Sequence, residues 1–517
     1  MDSFYVTTPI YYINAEPHLG HTYTTVIVDT LARFHQARGA TTFMVTGTDE
    51  HGDKIAAAAA AAGVTPRAFA DRVSPLFRST WDACGFRYDQ FVRTTDEAHV
   101  RVVQDILRHV HARGDIYFSR YGGLYCTGCE RFLTEKELVD GVCPDHLTAP
   151  TLIEEENYFF RMSKYVDRWR AHLEAHPDTI VPERYRNEVL ALLRSGALGD
   201  LCISRPKSRL SWGIELPFDR NYVTYVWFDA LISYVSGLKV RGEATFEALW
   251  PHAHHVMAKD ILKPHGVFWP TILLAADLPL FKRLLVHGYW VRGESKMSKS
   301  LGNVIRPLDM KARFGLDALR YFLLREMSFG QDAVFSEDAF VTRVNADLAN
   351  NLGNLVSRTL SMQQRYFTGE VQPLGTFEAE DRTLIDAFAT AYREVPELTA
   401  AYTFHRALEA LWRAVDHANK YIVVTAPFSL ARDAAQRPRV GAILHHLLEA
   451  LRATAVLLQW FLPETSARVH QLLGLAPVDR LPAELGWGTH FVPGHVTQPP
   501  VALFPRIEAE DETAAAR

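Results

Sequence analysis

Two short motifs carry side chains suited to phosphate chemistry. His18-Leu19-Gly20-His21 places two imidazoles three residues apart, a spacing that brings both rings to one face of a helix. Lys296-Met297-Ser298-Lys299-Ser300 places two ammonium groups at the same spacing. Helix N-termini and lysine side chains both bind phosphate oxygens, so each motif is a candidate polyphosphate site. Taken singly, each motif is more often structural, as a pair of capping histidines or a solvated basic turn.

The N-terminal residues predict the elements that position the histidine motif. β-Branched and aromatic residues at Ser3–Tyr12 indicate a strand, helical spacing runs through 18–38 to Gly39, and strand character returns at 41–45. This order is a βαβ unit, whose parallel sheet binds ligands at the carboxyl ends of its strands. We expect free backbone N–H groups at the start of the helix, which form an anion site together with the helix dipole.

The rest of the chain alternates between strand-like and helical sequence. The alanine run at 56–62 predicts a helix rather than low complexity. Strand-like apolar segments resume at 226–228 and continue through Val256 to 284–286. After about residue 335, helical periodicity dominates, with long amphipathic runs at 343–367, 380–424 and 439–462.

A cluster of metal-binding residue types lies between the two motifs. Cys126 and Cys129 are separated by two residues, and Cys143 and His146 repeat that spacing. Three thiolates and one imidazole in two such pairs suit one tetrahedral Zn²⁺ ion. Because all four ligands are protein side chains, the predicted site is closed and structural.

Composition indicates a large globular chain. Of 517 residues, 48% are apolar and 22% charged, and roughly 150 residues per domain gives three or four domains. The net charge of −5 gives no support for a nucleic-acid partner. The most apolar stretch, 442–462, is interrupted by ionisable side chains, so we expect a buried helix and no membrane partner. Five cysteines and the lack of a secretion signal predict a cytoplasmic protein.

Together, the two motifs and the cluster between them resemble the signatures of class I aminoacyl-tRNA synthetases. Within that class, the chain resembles the methionyl-tRNA synthetase family through TTPIYY (7–12), GTDEHG (47–52), VWFDAL (226–231) and KDI (259–261). His265, Trp269 and His287-Gly288-Tyr289 follow in the same register, so the resemblance covers essentially the whole chain.

The resemblance implies an α/β fold with two further parts. A Rossmann-type parallel-sheet catalytic domain is split by a zinc-bearing insertion and followed by an all-α anticodon-binding bundle. The implied boundaries are 1–116 and 225–334 for the two catalytic halves, 117–224 for the insertion, 335–506 for the bundle and 507–517 for a disordered tail.

The resemblance also implies the reaction. ATP activates L-methionine to methionyl-adenylate, which is transferred to the 3′-terminal adenosine of tRNA(Met), initiator tRNA included. The attacking carboxylate is already ionised, so catalysis rests on positioning and electrostatic stabilisation, with Mg²⁺ accompanying ATP. The implied ATP-binding and catalytic residues are His18 and His21 for the transferring phosphates, Gly20 for the adenine face, Gly288 for ATP, and Lys296 and Lys299 for the β- and γ-phosphates.

The implied methionine pocket is largely aromatic and apolar. A thioether packs well against aromatic rings, whereas the substrate ammonium needs a buried anion, for which the family uses Asp49. Without the resemblance, these aromatics would be assigned to the core. One methylene in an apolar pocket changes the binding free energy by only about 1–3 kcal/mol, and homocysteine differs from methionine by such an increment. The resemblance therefore implies, as a hypothesis, that homocysteine is rejected by cyclisation of its activated form. The pocket residues are Ile10, Tyr12, Asp49, Trp227, Ala230, Leu231, Tyr234, Asp260, Ile261 and His265, with Asp260 supporting the others and Trp269 as a further possible wall.

Anticodon contacts are implied on the helical part. Asn350, Asn354 and Arg358 repeat every four residues and predict a polar stripe on one helix face, where amides and guanidinium groups read unstacked bases. Such a stripe is more often plain surface, but Asn354 and Arg358 match anticodon-reading positions of the family. The family usually has a tryptophan where this chain has Phe428, which keeps a stacking face but lacks the indole N–H.

Three alternatives remain at this point. A cysteinyl-tRNA synthetase requires a zinc site open to the substrate thiol, and isoleucyl, valyl or leucyl enzymes require a much larger insertion. A non-enzymatic tRNA-binding relative is the third, which the intact histidine and lysine motifs disfavour. The appendix found in some relatives is not seen, so we expect a monomer.

Overall fold

The computed structural model describes residues 2–14, 16–126, 131–133, 135, 138–144, 147–292, 295–296, 304–492 and 494–508. At positions 121, 131, 132, 292, 295 and 296 it describes the backbone only. Lys299, Cys129, His146, the Lys296 side chain and most of the predicted tail therefore lie outside the described part. The chain forms two compact units, one of Ser3–Val28 and Thr42–His287, the other of Met1–Asp2, Asp29–Thr41 and Gly288–Arg517.

The first unit is built on a six-stranded sheet in the order β3-β2-β1-β12-β13-β7. The pairs β2–β3, β1–β12, β12–β13 and β13–β7 are parallel, as the βαβ pattern predicts. Two smaller antiparallel sheets, β5-β4-β6-β8 and β10-β11-β9, lie between the parallel strands in sequence. The strands are β1 (Ser3–Tyr12), β2 (Thr41–Asp49), β3 (Gln90–Arg93), β4 (Ile116–Cys126), β5 (Arg131–Leu133), β6 (Thr151–Phe160), β7 (Ile180–Val181), β8 (Leu201–Cys202), β9 (Ser204–Pro206), β10 (Glu215–Leu216), β11 (Asp219–Thr224), β12 (Ala253–Ala258) and β13 (Arg283–His287).

Helices cover the parallel sheet and bury its side chains in one large apolar core. Helix α1 begins in this unit and runs on into Asp29–Thr41 of the other. The segment predicted as an insertion, 117–224, also supplies β7 to the parallel sheet. The helices are α1 (Leu19–Ala37), α2 (Asp53–Ala61), α3 (Pro66–Ala83), α4 (Glu97–Ala112), α5 (Ser163–Ala175), α6 (Glu183–Arg194), α7 (Val226–Lys239), α8 (Glu243–Leu249) and α9 (Trp269–Ala275).

Two local predictions in this unit have different outcomes. The alanine run lies in α2, as predicted, and ends before Gly63, whose φ of 66° suits glycine. The strand expected at 226–228 is wrong, because these residues begin α7. Nearly every residue of α7 is buried, so its sequence lacks the polar face that would have marked it as a helix.

The second unit is mainly helical. A small sheet, β15-β14-β16, takes its third strand from the chain after α11, and a π-helical segment, Val344–Gly353, joins α12 to α13. The elements are β14 (Trp290–Arg292), β15 (Ser295–Lys296), α10 (Pro307–Phe314), α11 (Leu316–Glu326), β16 (Ala333–Val334), α12 (Glu337–Arg343), α13 (Asn354–Phe367), α14 (Ala379–Ala400), α15 (Phe404–Thr425), α16 (Pro427–Leu430), α17 (Arg437–Leu458) and α18 (Pro463–Leu472).

The predicted helical runs are refined in two places. The run at 380–424 is two helices, because the chain reverses at 401–403 with Tyr402 in the left-handed region. The run at 343–367 changes from π-helix to α-helix at Asn354.

Within the part of the chain that is described, Ala434–Leu458 is long and apolar enough to cross a membrane, but its most apolar window is wholly buried, as expected for a bundle helix. Ile507 is held to Asn345 by two hydrogen bonds.

The buried Asp317 of α11 makes the stability of this unit depend on pH. Its Oδ2 accepts a hydrogen bond from the Thr465 amide at the start of α18, and burial raises its pKa from 3.8 to about 6. A raised folded-state pKa favours the protonated carboxyl. The contribution of Asp317 to stability is therefore fully present below about pH 4 and is lost as the pH rises through 6.

We therefore expect Asp317→Asn to stabilise the chain at pH 7.5 by on the order of 1–3 kcal/mol, because the amide carries no charge to bury. The gain should fall to about a third of that value near pH 4.5 in thermal unfolding of the full chain. Asp309→Asn, at an exposed position of α10, is the control and should change stability by no more than about 0.5 kcal/mol. An equal gain at both pH values would contradict the prediction.

Candidate active site

The two histidines of the first motif lie face to face at the start of α1. Their ring centroids are 3.8 Å apart and their planes differ by 22°. His21 also packs against Tyr11 of β1 and Phe77 of α3, and the Tyr11 hydroxyl donates to the His21 carbonyl. A Cβ on Gly20 would lie 2.9 Å from the His18 ring, so a larger residue would displace that ring.

Hydrogen bonds determine which imidazole nitrogens carry protons. The Gly20 amide donates to Nδ1 of His18 over 3.1 Å, and the His18 amide donates to Nδ1 of His21 over 3.3 Å. Since both Nδ1 atoms accept, each neutral ring carries its proton on Nε2. This corrects the expectation of free backbone amides for His18 and Gly20, whose amides donate to the imidazoles.

Helix α1 is joined to the end of β13 just after the motif. The Thr24 hydroxyl hydrogen-bonds Nε2 of His287 over 2.8 Å, and Tyr23 meets that imidazole edge-on. His287 is buried and is the last residue of β13. The sequence resemblance included His287 but assigned it no role, and its contact with Thr24 across 263 positions had no local signal.

One face of α7 carries four of the predicted methionine-pocket residues. Trp227, Ala230, Leu231 and Tyr234 follow helical spacing and so share a face, and all but Trp227 are fully buried. Trp227 and Tyr234 both approach the His265 ring, with centroids 6.1 and 5.7 Å away. The structure therefore brings these predicted residues together.

The polar atoms of this aromatic group bind one another. The Tyr234 hydroxyl lies 2.7 Å from Nε2 of His265, and Nδ1 of His265 lies 2.8 Å from the Ile261 carbonyl. Burial lowers the pKa of His265 to about 4, while the Ile261 carbonyl and the charge of Asp260 oppose that shift. The ring is therefore neutral at pH 7, donates from Nδ1 and accepts from Tyr234. Asp260 is exposed and acts on His265 through its charge.

A buried carboxylate lies beside these rings. Asp49 ends β2, is 5% exposed, and its charge adds to burial in raising the pKa of Tyr234. Tyr12 ends the neighbouring strand β1, and its hydroxyl donates to the His51 carbonyl. Ile10 borders Gly47, where a Cβ would lie only 2.0 Å from the Val92 carbonyl. Trp269, the possible further wall, packs against Tyr234 and donates to Nε2 of His255.

A buried histidine–aspartate–histidine chain holds the turn after β2, and the sequence reasoning missed it. Nδ1 of His51 lies 2.6 Å from Asp229 on α7. The other Asp229 oxygen lies 2.7 Å from Nε2 of His99. Burial raises the pKa of Asp229, but His51 and His99 outweigh it, so the pKa is below its usual value. His51 and Asp229 both lie in segments on which the family resemblance is based, and this is the one sequence signal that could have identified them.

Two of the four predicted zinc ligands are described. Cys126 ends β4; the Cys143 amide donates to the Thr148 carbonyl, and the Leu147 amide donates to the Cys143 carbonyl. Both cysteines are buried in a small cluster with Leu133. Among the described residues no group of three metal ligands is found, and two of the predicted four are outside them.

In the helical unit, the predicted anticodon residues are exposed. Asn350, Asn354 and Arg358 are all on the surface, and Phe428 is 48% exposed. Asn350 lies in the π-helical segment, so the stripe is not on one continuous α-helix, contrary to the expectation.

Gly288, which the resemblance assigns to ATP, is confined by the Gln331 carbonyl, 2.2 Å from where a Cβ would be.

Known protein families and curated relatives match this chain over nearly its whole length. A family model described as "tRNA synthetases class I (M)" matches residues 4–149 and 146–360, and one described as "Anticodon binding domain of methionyl tRNA ligase" matches 371–517. The Methionine–tRNA ligase of Clostridium acetobutylicum is 43% identical over 98% of this chain and 78% of its own length. That of Deinococcus radiodurans is 44% identical over 99% and 75%.

A solved structure is similar over nearly the whole chain. Mycobacterium tuberculosis methionyl-tRNA synthetase in complex with methionyl-adenylate is 41% identical, with a TM-score of 0.93 over 98% of this chain and 100% of that one. The parallel sheet, the paired histidines and the helical C-terminal part define a class I aminoacyl-tRNA synthetase. Within that class, the chain belongs to the methionine–tRNA ligase family, enzymes that activate methionine with ATP and charge it to tRNA.

Proposed function

We propose that this enzyme activates L-methionine where the carboxyl ends of three neighbouring parallel strands meet α1 and α7. The observation that carries the proposal is the position of the predicted residues: Tyr12 ends β1, Asp49 ends β2, and Ile261 follows the end of β12. Ligands of open parallel sheets bind at this edge. Methionine-dependent exchange of pyrophosphate into ATP tests the proposal, and exchange that did not require methionine would contradict it.

In the proposed mechanism, a methionine carboxylate oxygen attacks the α-phosphorus of ATP and pyrophosphate leaves. His18 and His21 donate from Nε2 to the phosphate oxygens, where negative charge develops. Gly20 admits the adenine, Gly288 contacts ATP, and Lys296 and Lys299 bind the β- and γ-phosphates, roles assigned from the motif resemblance. Mg²⁺ accompanies ATP on phosphate oxygens and water.

The proposed pocket selects an apolar side chain. Asp49 binds the ammonium, while Ile10, Tyr12, Trp227, Ala230, Leu231, Tyr234, Ile261 and His265 surround the thioether, with Asp260 acting on His265. The Tyr234 hydroxyl already donates its proton to His265. The proposed pocket therefore contacts the substrate side chain with ring surfaces and not with this hydroxyl donor. A substrate with a polar side chain would lose its own hydrogen bonds to water there.

We also propose a structural zinc ion bound by Cys126, Cys129, Cys143 and His146. Among the described residues, Cys126 and Cys143 share one buried cluster with Leu133, which supports a common site for these two ligands. A bound ion would cross-link the segments that carry them. We expect purified protein to contain about one zinc per chain by mass spectrometry, and Cys143→Ser to lose most of it. Full-length, folded protein without zinc would refute this site.

The tRNA partner is proposed to be tRNA(Met), initiator tRNA included, with Asn354, Arg358 and Phe428 reading the anticodon. Within the described residues, neither Asn354 nor Arg358 has a side-chain hydrogen bond or ion pair. Phe428 presents an exposed ring just after the left-handed residue Ala426. Aromatic stacking is worth about 1–3 kcal/mol per base.

Accordingly, Phe428→Ala should raise the KM for tRNA about 5- to 100-fold in aminoacylation and leave pyrophosphate exchange unchanged. Val424→Ala removes an exposed apolar neighbour of similar accessibility and should have little effect. Equal loss in both reactions would mean that Phe428 supports the fold instead.

The remaining assignments are proposals of the same kind. We propose that the enzyme is a monomer that acts in the cytoplasm, with the domain boundaries given by the sequence. Light scattering tests the oligomeric state, and limited proteolysis near residues 117, 225 and 335 tests the boundaries.

A further inference from the structure

Two adjacent carboxylates lie at the end of β2, and only one substrate ammonium has to be bound. Asp49 is 5% exposed and Glu50 is completely buried. A buried carboxylate without partners is costly, so the structure has to account for the charge of each. The proposed function assigns Asp49 to the ammonium and leaves Glu50 without a role.

Each Glu50 oxygen has two hydrogen-bond donors. Arg93 of β3 donates from Nε to Oε1 over 2.7 Å and from Nη2 to Oε2 over 3.0 Å, which is a two-point contact. The hydroxyls of Thr48 and Thr95 donate to Oε1 and Oε2 over 2.7 and 2.5 Å. The charge of Glu50 is therefore paired and its oxygens are occupied.

The donors are themselves held in place. Nη2 of Arg93, which donates to Glu50, also makes an ion pair with Asp71 at 2.7 Å. Burial lowers the pKa of Arg93, but Glu50 and Asp71 outweigh it and raise the pKa above its usual value. Thr48 is hydrogen-bonded to Ser74 of α3 at 2.7 Å. The side chain of Glu50 thus ties the end of β2 to β3 and α3.

The backbone around Glu50 is held as closely. Its amide donates to the Thr94 hydroxyl over 3.0 Å, and its carbonyl accepts from the Trp212 indole over 2.6 Å. The next carbonyl, of His51, accepts from Tyr12. The peptide between Asp49 and Glu50 is held on its other side as well, because the Asp49 carbonyl accepts from the Ile13 amide over 3.3 Å. The backbone from which the Asp49 side chain extends is therefore held in place.

We propose that Glu50 is a positioning residue for methionine recognition: held by Arg93, Thr48 and Thr95, it fixes the end of β2 and directs Asp49 to the substrate ammonium. This inference rests on the proposed role of Asp49. Its expected signature is specific, because misplacing Asp49 weakens the ammonium contact but not the contacts of the thioether.

The test compares two ligands that differ only in the ammonium: L-methionine and 4-(methylsulfanyl)butanoate, the same molecule without the amino group. The dissociation constant of methionine and the competitive inhibition constant of the analogue are measured on the full chain. Their ratio, analogue over methionine, reports the ammonium contact. The variants are Asp49→Asn, Glu50→Gln, Thr95→Val and Asp105→Asn.

We expect Glu50→Gln to lower this ratio on the order of 10- to 100-fold while the KM for ATP stays within about twofold, because small misplacements have effects of this size. Thr95→Val removes one donor to Glu50 and keeps its charge, so its loss should be smaller and of the same kind. Asp105→Asn is the control: Asp105 is exposed on α4, where it pairs with Arg108 outside the Glu50 contacts, so this variant should not change the ratio.

The outcomes separate this inference from the proposed function. If Asp49→Asn leaves the ratio unchanged, the proposed ammonium site is wrong. If Asp49→Asn lowers it but Glu50→Gln weakens both ligands equally or neither, Glu50 has no positioning role and the inference is overturned. Should Glu50→Gln fail to fold, Thr95→Val decides, and an unchanged ratio in that variant overturns the inference.

Discussion

His21→Ala is expected to lower the rate of methionine-dependent pyrophosphate exchange by about 10²–10³-fold. The substitution removes an Nε2–H donor that is already oriented, since its Nδ1 accepts from the His18 amide and its ring is packed between Tyr11 and Phe77. A donor placed where charge develops stabilises the transition state more than the bound substrate. The loss should therefore appear in kcat, with the KM for methionine changed by less than about threefold.

His35→Ala is the matched control for this variant. His35 lies near the opposite end of the same helix and packs edge-on against Phe34. Its replacement changes the same side chain on α1 at a distance from the motif, so exchange should remain within about twofold of the unsubstituted enzyme. If His21→Ala raised the KM for methionine and left kcat unchanged, the motif would be part of the amino-acid site rather than the phosphate site.

Arg439→Leu is expected to destabilise the helical unit by about 3–5 kcal/mol. Arg439 of α17 makes a two-point contact with Asp381 of α14, at 2.7 and 2.9 Å, and Asp381 is completely buried. Burial raises the pKa of Asp381, but the hydrogen bonds from Arg439 and Tyr421 outweigh it and hold the pKa below its usual value. Without Arg439, a buried charge loses its main partner. Urea unfolding followed by circular dichroism measures the loss.

Two further variants show whether the cost comes from the unpaired charge. Arg413→Leu breaks an exposed pair with Glu394 on the same unit and should cost less than about 1 kcal/mol. The double variant Asp381→Asn with Arg439→Leu removes both charges and should recover part of the stability. If the double variant were no more stable than Arg439→Leu, the pair would contribute through packing rather than through charge.

The sequence was most informative where one short segment contains a whole structural unit. The βαβ order and the paired imidazoles depend on spacing of a few residues, and both are found. Local spacing also misled at 226–228, because a fully buried helix and a strand have similar composition.

Contacts between distant residues could not be predicted in this way. The His51–Asp229 contact spans 178 positions and the Glu50–Arg93 contact spans 43, so no local pattern links them. The proton positions on His18 and His21 depend on backbone amides whose direction only the fold determines. Net charge was a poor indicator of partners, because a chain of charge −5 belongs to a family that binds tRNA, and a ligand meets one face rather than the average.

The most direct test of the proposed site is a crystal structure of the chain with methionine and a non-reactive ATP analogue. We expect the ammonium at hydrogen-bond distance from Asp49, the thioether among Trp227, Tyr234 and His265, and a phosphate oxygen at Nε2 of His21. An ammonium bound by another group, or an analogue whose phosphates do not contact His18 or His21, would contradict it.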